Sequence, residues 1–241
     1  MSWRPQRFLS ARWQHLAMLN YEIDPGCLRR WVPSGTELDA WNGKTLVSMV
    51  GFLFLDTRLM GIPVPYHRDF EEVNLRFYVR RKAADKWLRG VVFVKEIVPR
   101  WAIARVAQIS HGEKYISTDM RHAIETAGGS TSFRYEWSHR GEWDSLALRT
   151  TGTPALPLPG SQEEFITEHY WGYATQRGGR VLEYKVAHPQ WRVWQGVEPE
   201  LHCRAVELYG PEFAESLSQA PASAFLAEGS AVTVDWGLPL A

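Results

Sequence analysis

The stretch FEEVNLRFYVRR, residues 70–81, sets charged groups into what otherwise reads as a β-strand. Side chains alternate between the two faces of a strand. Glu71 therefore heads a row containing Val73, Leu75, Phe77 and Val79, and the other row holds Glu72, Asn74, Arg76, Tyr78 and Arg80. A carboxylate buried without a partner is costly, so it pairs with a cation or its pKa rises. Glu71 is thus read as a catalytic candidate: a carboxyl pointing into an enclosed space, paired with an arginine or poised as an acid/base. The plain alternative starts the strand at Glu72 and leaves Glu71 in the loop after Asp69.

A second cluster is Thr167-Glu168-His169-Tyr170-Trp171-Gly172-Tyr173. It packs donors, acceptors and ring faces into seven residues, and Gly172 would let a ligand approach the backbone. His169 is the second catalytic candidate; Glu168, Tyr170, Trp171 and Tyr173 are ligand-binding candidates, as is Arg76. The alternative is a helix end at which His169 meets the helix dipole. A third cluster is Pro99-Arg100-Trp101, where a buried-looking strand stops. Arg100 could grip a carboxylate with two parallel bonds and Trp101 could offer a ring face, or Arg100 is simply exposed. The pair Trp191 and Trp194, in HPQWRVW, reads as packing.

Other chemistries lack their motifs. There is no GxxxxGK[ST], no GxGxxG after a strand, no HExxH and no GxSxG. The eight histidines include no i, i+4 pair, so no metal and no cofactor are expected.

The elements that must position these residues are mostly strands. Residues 8–22 are apolar-rich and of open type. Asp24 caps a short helix, PGCLRRWV, with Pro25 at its first position. Residues 47–56 read as a strand covered on both faces, with Gly51 marking a bulge or a close approach. Strands at 72–82 and 90–98 form a hairpin, and 101–109 fits a helix. Residues 114–125, 130–138 and 145–151 read as an antiparallel meander. Ser161 and Glu164 make a capping box for a helix over 162–169. Strands at 170–174 and 181–188, a helix at 211–217 and strands at 222–226 and 231–235 complete the chain. The pattern predicts a single α+β domain over residues 1–241, with a mostly antiparallel sheet curled into a barrel and a few short helices.

Composition narrows the class. The 241 residues carry 27 basic and 27 acidic side chains, so no nucleic-acid or anionic-membrane partner is implied. Arg80-Arg81-Lys82 reads as a solvated hairpin end. Cys27 and Cys203 make no disulfide framework and suit a reducing compartment. Neither a signal core nor a membrane span is visible, so a cytoplasmic location is expected. Twelve tryptophans favour an aromatic-rich core over an aromatic pocket.

ARWQHLAMLNYEIDP, LRRWVPSGTELDAWNGK, LVSMVGFLFLDTR, FEEVNLRFYVRR, EFITEHYWGY and SAFLAEGS together resemble the YqjF-like family of uncharacterised bacterial proteins. That family is similar to the acetoacetate decarboxylase superfamily. The resemblance implies a curled antiparallel sheet around an internal pocket. In the decarboxylase, two lysines follow a proline, and one forms a Schiff base with the substrate ketone. The similar place here is Pro99-Arg100-Trp101, where neither lysine stands and Arg100 is no amine nucleophile. Lys95 and Lys185 are isolated substitutes. The expected function is therefore a pocket for a small organic (keto) acid, in a lyase-like enzyme without the imine lysine. The alternative is a non-catalytic sensor or carrier for a small-molecule ligand.

Overall fold

The structure, a computed structural model, describes residues 7–64, 67–99 and 114–240. Its strands are β1 (Arg7–Glu22), β2 (Glu37–Leu38), β3 (Leu46–Leu59), β4 (Ile62–Pro63), β5 (Phe70–Ala83), β6 (Lys86–Val98), β7 (Tyr115–Ser117), β8 (Met120–Ala127), β9 (Ser130–His139), β10 (Glu142–Thr151), β11 (Trp171–Thr175), β12 (Val181–Ala187), β13 (Val193–His202), β14 (Ser223–Asp235) and β15 (Leu238–Pro239). The helices are α1 (Pro25–Leu28), α2 (Gln162–Thr167), α3 (Ala205–Leu208) and α4 (Pro211–Ser218).

Hydrogen bonding runs β12–β11–β6–β5–β3–β1–β14, and β14 then pairs back onto β12 through Val186↔Val234 and Ala187↔Thr233. That last pairing closes the strands into a ring. All its pairings are antiparallel except β11 with β6. From β14 the sheet continues through β13 to β10, β9 and β8, which form a second layer over the outside of the ring. The expected α+β class with a curled, mostly antiparallel sheet and short helices is what the chain adopts.

The two layers explain why some strands carried no clear pattern. Residues 16–21 of β1 are all buried, because one face meets the ring interior and the other meets the second layer. A strand covered on both faces loses its polar alternation.

On β5 the alternation survives, and it inverts one expectation. Val73, Leu75, Phe77 and Val79 point out of the ring into a core shared with Phe133, Tyr135, Trp137, Leu146 and Leu148, under α3 and α4. The opposite row, Phe70, Glu72, Asn74 and Arg76, faces the ring interior. The apolar row that Glu71 heads therefore belongs to a dry interlayer core, and the polar row lines the hollow.

Gly51 makes the layers meet closely, as its place in an apolar run implied. A Cβ on Gly51 would lie 2.7 Å from the Tyr135 ring, whose hydroxyl donates to the His15 carbonyl at 2.8 Å. Overpacking of this kind costs about 2 kcal/mol. Gly51→Ala is expected to lower the urea midpoint accordingly, with an unchanged denaturant slope.

Several boundaries differ from the sequence reading. Residues 114–125 split into β7, parallel to β6, and β8. The two late strands are one, β14. Strand β13 escaped because it contains Pro199, which argues against a strand interior. The structure puts Pro199 beside a bulge, where Glu198 has φ of 51° and the β10 register slips between Ala147 and Arg149. Helix α2 stops at Thr167 rather than at 169. Ser161 Oγ accepts from the Glu164 N–H as a capping box requires, but the Glu164 carboxylate takes the Gly160 N–H instead of that of Ser161. The helix expected at 101–109 lies outside the described residues. Among the described residues no helix is long and apolar enough to cross a membrane.

Candidate functional site

The ring interior holds a cavity of about 90 Å³. Its polar wall comes from β5 and β6. Glu72, Asn74 and Arg76 project inward at two-residue steps, and Glu96 joins them because β6 sets it opposite Asn74. All four are buried, Glu72 at 2% exposure and Arg76 at 8%.

Glu72 is held on both oxygens. Asn74 Nδ2 donates to Oε1 at 2.9 Å and the Tyr115 hydroxyl donates to Oε2 at 3.2 Å. Burial pushes its pKa up to about 7, against the opposing pull of those two bonds and of the Arg76 charge. Near neutral pH the carboxyl is therefore available as a proton donor and as an acceptor.

Arg76 is the unusual group. Its guanidinium makes one hydrogen bond, a long one of 3.9 Å to the Met18 sulfur, and stands 5.8 Å from the Tyr78 ring centre. Its Nε has no partner, and it forms no ion pair among the described residues. A buried cation in such a setting is costly unless an anion joins it.

Next to Arg76, a chain of side-chain hydrogen bonds spans β5, β3, β1 and β14. Ser48 Oγ donates to Asn20 Oδ1 at 2.6 Å, so the Tyr78 hydroxyl, also at 2.6 Å, must donate to Ser48. Asn20 Nδ2 in turn donates to Ser223 Oγ at 2.9 Å. Every member is satisfied, which fixes the strands around the charged end. At the other end Phe54 stacks on Phe70 at 4.8 Å, and Trp13 meets Phe52 and Phe54 edge-on at 5.2 and 5.6 Å.

Of the residues singled out from sequence, Arg76 lines this cavity. Arg100 and Trp101 lie outside the described residues. Glu71 does not reach the hollow: its carboxylate meets His122 Nδ1 at 2.7 Å, where β5 faces the second layer. His169 is buried in a different place. It touches Tyr78 and Phe165 and meets Asp39 at 3.2 Å, and Asp39 also receives Arg89 at 2.7 Å. Burial lowers the His169 pKa to about 4. Burial alone would raise the Asp39 carboxyl, but the bonds from His169 and Arg89 bring it below its usual value. The imidazole is thus neutral and donates to an ionised Asp39. Tyr173 and Trp171 pack in or against the interlayer core. Tyr170 donates to Glu168 and lies against His188, which stacks on Trp191. The TEHYWGY cluster is thus divided among three environments, because Glu168, His169 and Tyr170 lie in the turn between α2 and β11 and only Trp171 and Tyr173 share a face of the strand.

Glu72, Asn74, Glu96 and Tyr115 were not singled out. For the first two the signal was present: a polar row within a strand long enough to be covered on both faces.

No lysine lines the cavity, although all six in the sequence are described. Lys44 pairs with Glu22, and Lys114 lies over the Trp31 ring at 3.7 Å. Lys82, Lys86 and Lys185 are exposed. Lys95 is on the outward face of β6, opposite Leu75, and donates to the Leu208 carbonyl; burial lowers its pKa.

Residues 10–231 match DUF2071, a family described as an uncharacterized conserved protein. The chain belongs to the DUF2071 family. This DUF2071 chain is 27% identical over 199 residues to the uncharacterized protein YqjF of Bacillus subtilis (strain 168), covering 80% of this chain and 78% of that one. Its fold is similar to that of acetoacetate decarboxylase from Legionella pneumophila (TM-score 0.68, 13% identity, 100% and 91% of the two chains). It is also similar to the enduracididine biosynthesis enzyme MppR complexed with pyruvate (TM-score 0.67, 14% identity, 100% and 92%). An acetoacetate decarboxylase-like enzyme from Sphingomonas wittichii RW1 follows at TM-score 0.64 and 13% identity, over 97% and 92% of the chains. At such identities the likeness establishes the fold of this DUF2071 member and nothing about its chemistry.

Proposed function

We propose that the chain takes a small organic acid into the barrel formed by its ring of strands. Arg76 holds the carboxylate, and Glu72 gives or takes a proton beside it. The observation that carries this reading is the buried Arg76 guanidinium lining a cavity, with no ion pair among the described residues. A carboxylate bound by two parallel N–H bonds would pair it. A keto acid suits the site, since a donor at Glu72 can polarise a carbonyl, and a similarly folded enzyme has been solved with pyruvate.

The chemistry runs without an imine. A Schiff base requires a neutral amine at the substrate carbonyl, and the six lysines all lie away from the cavity. Incubation with pyruvate or acetoacetate followed by borohydride is expected to leave the intact mass unchanged. A covalent adduct mapped to Lys95 or Lys185 would contradict this.

The lysine placement also favours a second reading, a sensor or carrier that holds the acid without turnover. Mixtures of 2- and 3-keto acids incubated with the protein and followed by mass spectrometry separate the two. Consumption marks an enzyme, retention with full recovery marks a carrier, and neither would overturn the keto-acid reading. A reducing, cytoplasmic setting is part of the same proposal, supported by the free thiols of Cys27 and Cys203.

A further inference from the structure

We infer that the ligand is a monocarboxylic acid with a branched or aromatic hydrocarbon tail, bound with its carboxylate at Arg76 and its tail against Trp13, Phe54 and Phe70. This rests on the acid-binding reading above and names the class of acid.

The cavity is polarised along its length. Its charged groups lie on one stretch of β5 and the facing part of β6. Beyond Glu72 the wall turns to hydrocarbon, from Phe70 and Phe54 to Leu9 and Leu59. From Phe70 to Arg76 the strand advances about 20 Å, at roughly 3.3 Å per residue. Leu9, Trp13 and Leu59 are half-buried at the aromatic end, as are Phe93 and Tyr115 beside the charged groups, whereas Glu72, Asn74 and Arg76 are buried.

Size and chemistry agree. The cavity, about 90 Å³, is several times the space of about 10–15 Å³ that one water requires. Acetate or pyruvate would fill the charged end and leave the rings against water. A flat acid of the length of phenylacetate reaches from the charged end towards the rings. The stacked Phe54–Phe70 pair and the edge-on Trp13 offer faces and edges, which suit a flat ring or a branched chain. Pockets of this composition, mostly apolar with a few converging polar groups, fix orientation by the polar end.

The test is titration calorimetry with acetate, butyrate, isovalerate, phenylacetate and the neutral phenylacetamide. Affinity is expected to rise about fourfold per buried methylene along the acids. Phenylacetamide should bind at least about tenfold more weakly than phenylacetate, since it brings no charge to Arg76. Trp13→Ala, at the half-buried aromatic end, should weaken phenylacetate about tenfold and leave acetate unchanged. The ligand series on the wild-type protein stands without that variant should it fail to fold. If acetate binds as tightly as phenylacetate, the tail is overturned and the acid reading survives. If phenylacetamide matches phenylacetate, the acid reading fails. If no compound binds, both fail.

Discussion

Replacing Arg76 with methionine is expected to weaken phenylacetate binding about a hundredfold while leaving the protein at least as stable as before. Loss of one partner from a buried, hydrogen-bonded charge pair costs about 2–5 kcal/mol of binding energy. A hundredfold corresponds to about 2.7 kcal/mol, within that span. Stability moves the other way. In the unliganded protein the guanidinium is buried with a thioether as its hydrogen-bond acceptor. Exchanging such a charge for a hydrocarbon of similar volume is often neutral or stabilising. Methionine keeps the unbranched stem and adapts to irregular space. Calorimetry gives the affinity and urea unfolding gives the stability. Arg76→Lys separates charge from shape: it keeps the cation, loses the planar fork and should fall between wild type and Arg76→Met. An Arg76→Met protein that binds phenylacetate normally would remove the arginine from the site. One that is severely destabilised would show that the guanidinium serves the fold.

The second large effect is a pH dependence of stability centred on Glu72. Its folded-state pKa is raised from 4.5 to about 7. Between these values the folded protein keeps a proton that the unfolded chain releases. The stabilising contribution of the protonated carboxyl is therefore complete below about pH 4.5, declines as pH rises, and is gone above about pH 7. By linkage the change is on the order of 3 kcal/mol. Three histidines oppose it: burial also lowers the pKa of His15. His169 and His188 are both lowered to about 4, chiefly by burial, so they lose stability as pH falls from 6.5 towards 4. The raw curve of the wild type mixes these slopes. The difference between wild type and Glu72→Gln isolates the carboxyl, since glutamine preserves the shape and does not titrate. Urea midpoints from pH 4.5 to 8 should show wild type losing ground to Glu72→Gln across the interval. Parallel curves would place Glu72 in water and empty the site of its proton donor.

The strand with its two rows was legible, and of the residues singled out from sequence Arg76 is the one that lines the cavity. Which row faced the hollow was not legible, because period-two alternation assigns residues to faces without saying what covers each face. An apolar row usually marks a core, and here it does so literally, under β9 and β10. The carboxylate at its head, Glu71, escapes the core by reaching His122 at the edge. Glu72, one residue on, carries the buried charge that Glu71 was expected to carry. The strand pattern and the family resemblance both pointed to a curled sheet, but the strands that close it were not legible. Its closing contact joins Val186 to Val234, far apart in the chain, and no local pattern encodes such a pairing. The TEHYWGY cluster misled for a related reason: density in sequence became dispersion in space, with His169 beside Asp39, Tyr173 in the interlayer core and Tyr170 beside His188.

One diffraction experiment bears most directly on an acid lodged inside the ring: anomalous scattering from crystals soaked in 4-bromophenylacetate. The bromine peak should appear beside Phe54 and Phe70, with carboxylate density in contact with the Arg76 guanidinium. A bromine next to Arg76, or outside the strands altogether, would contradict that placement.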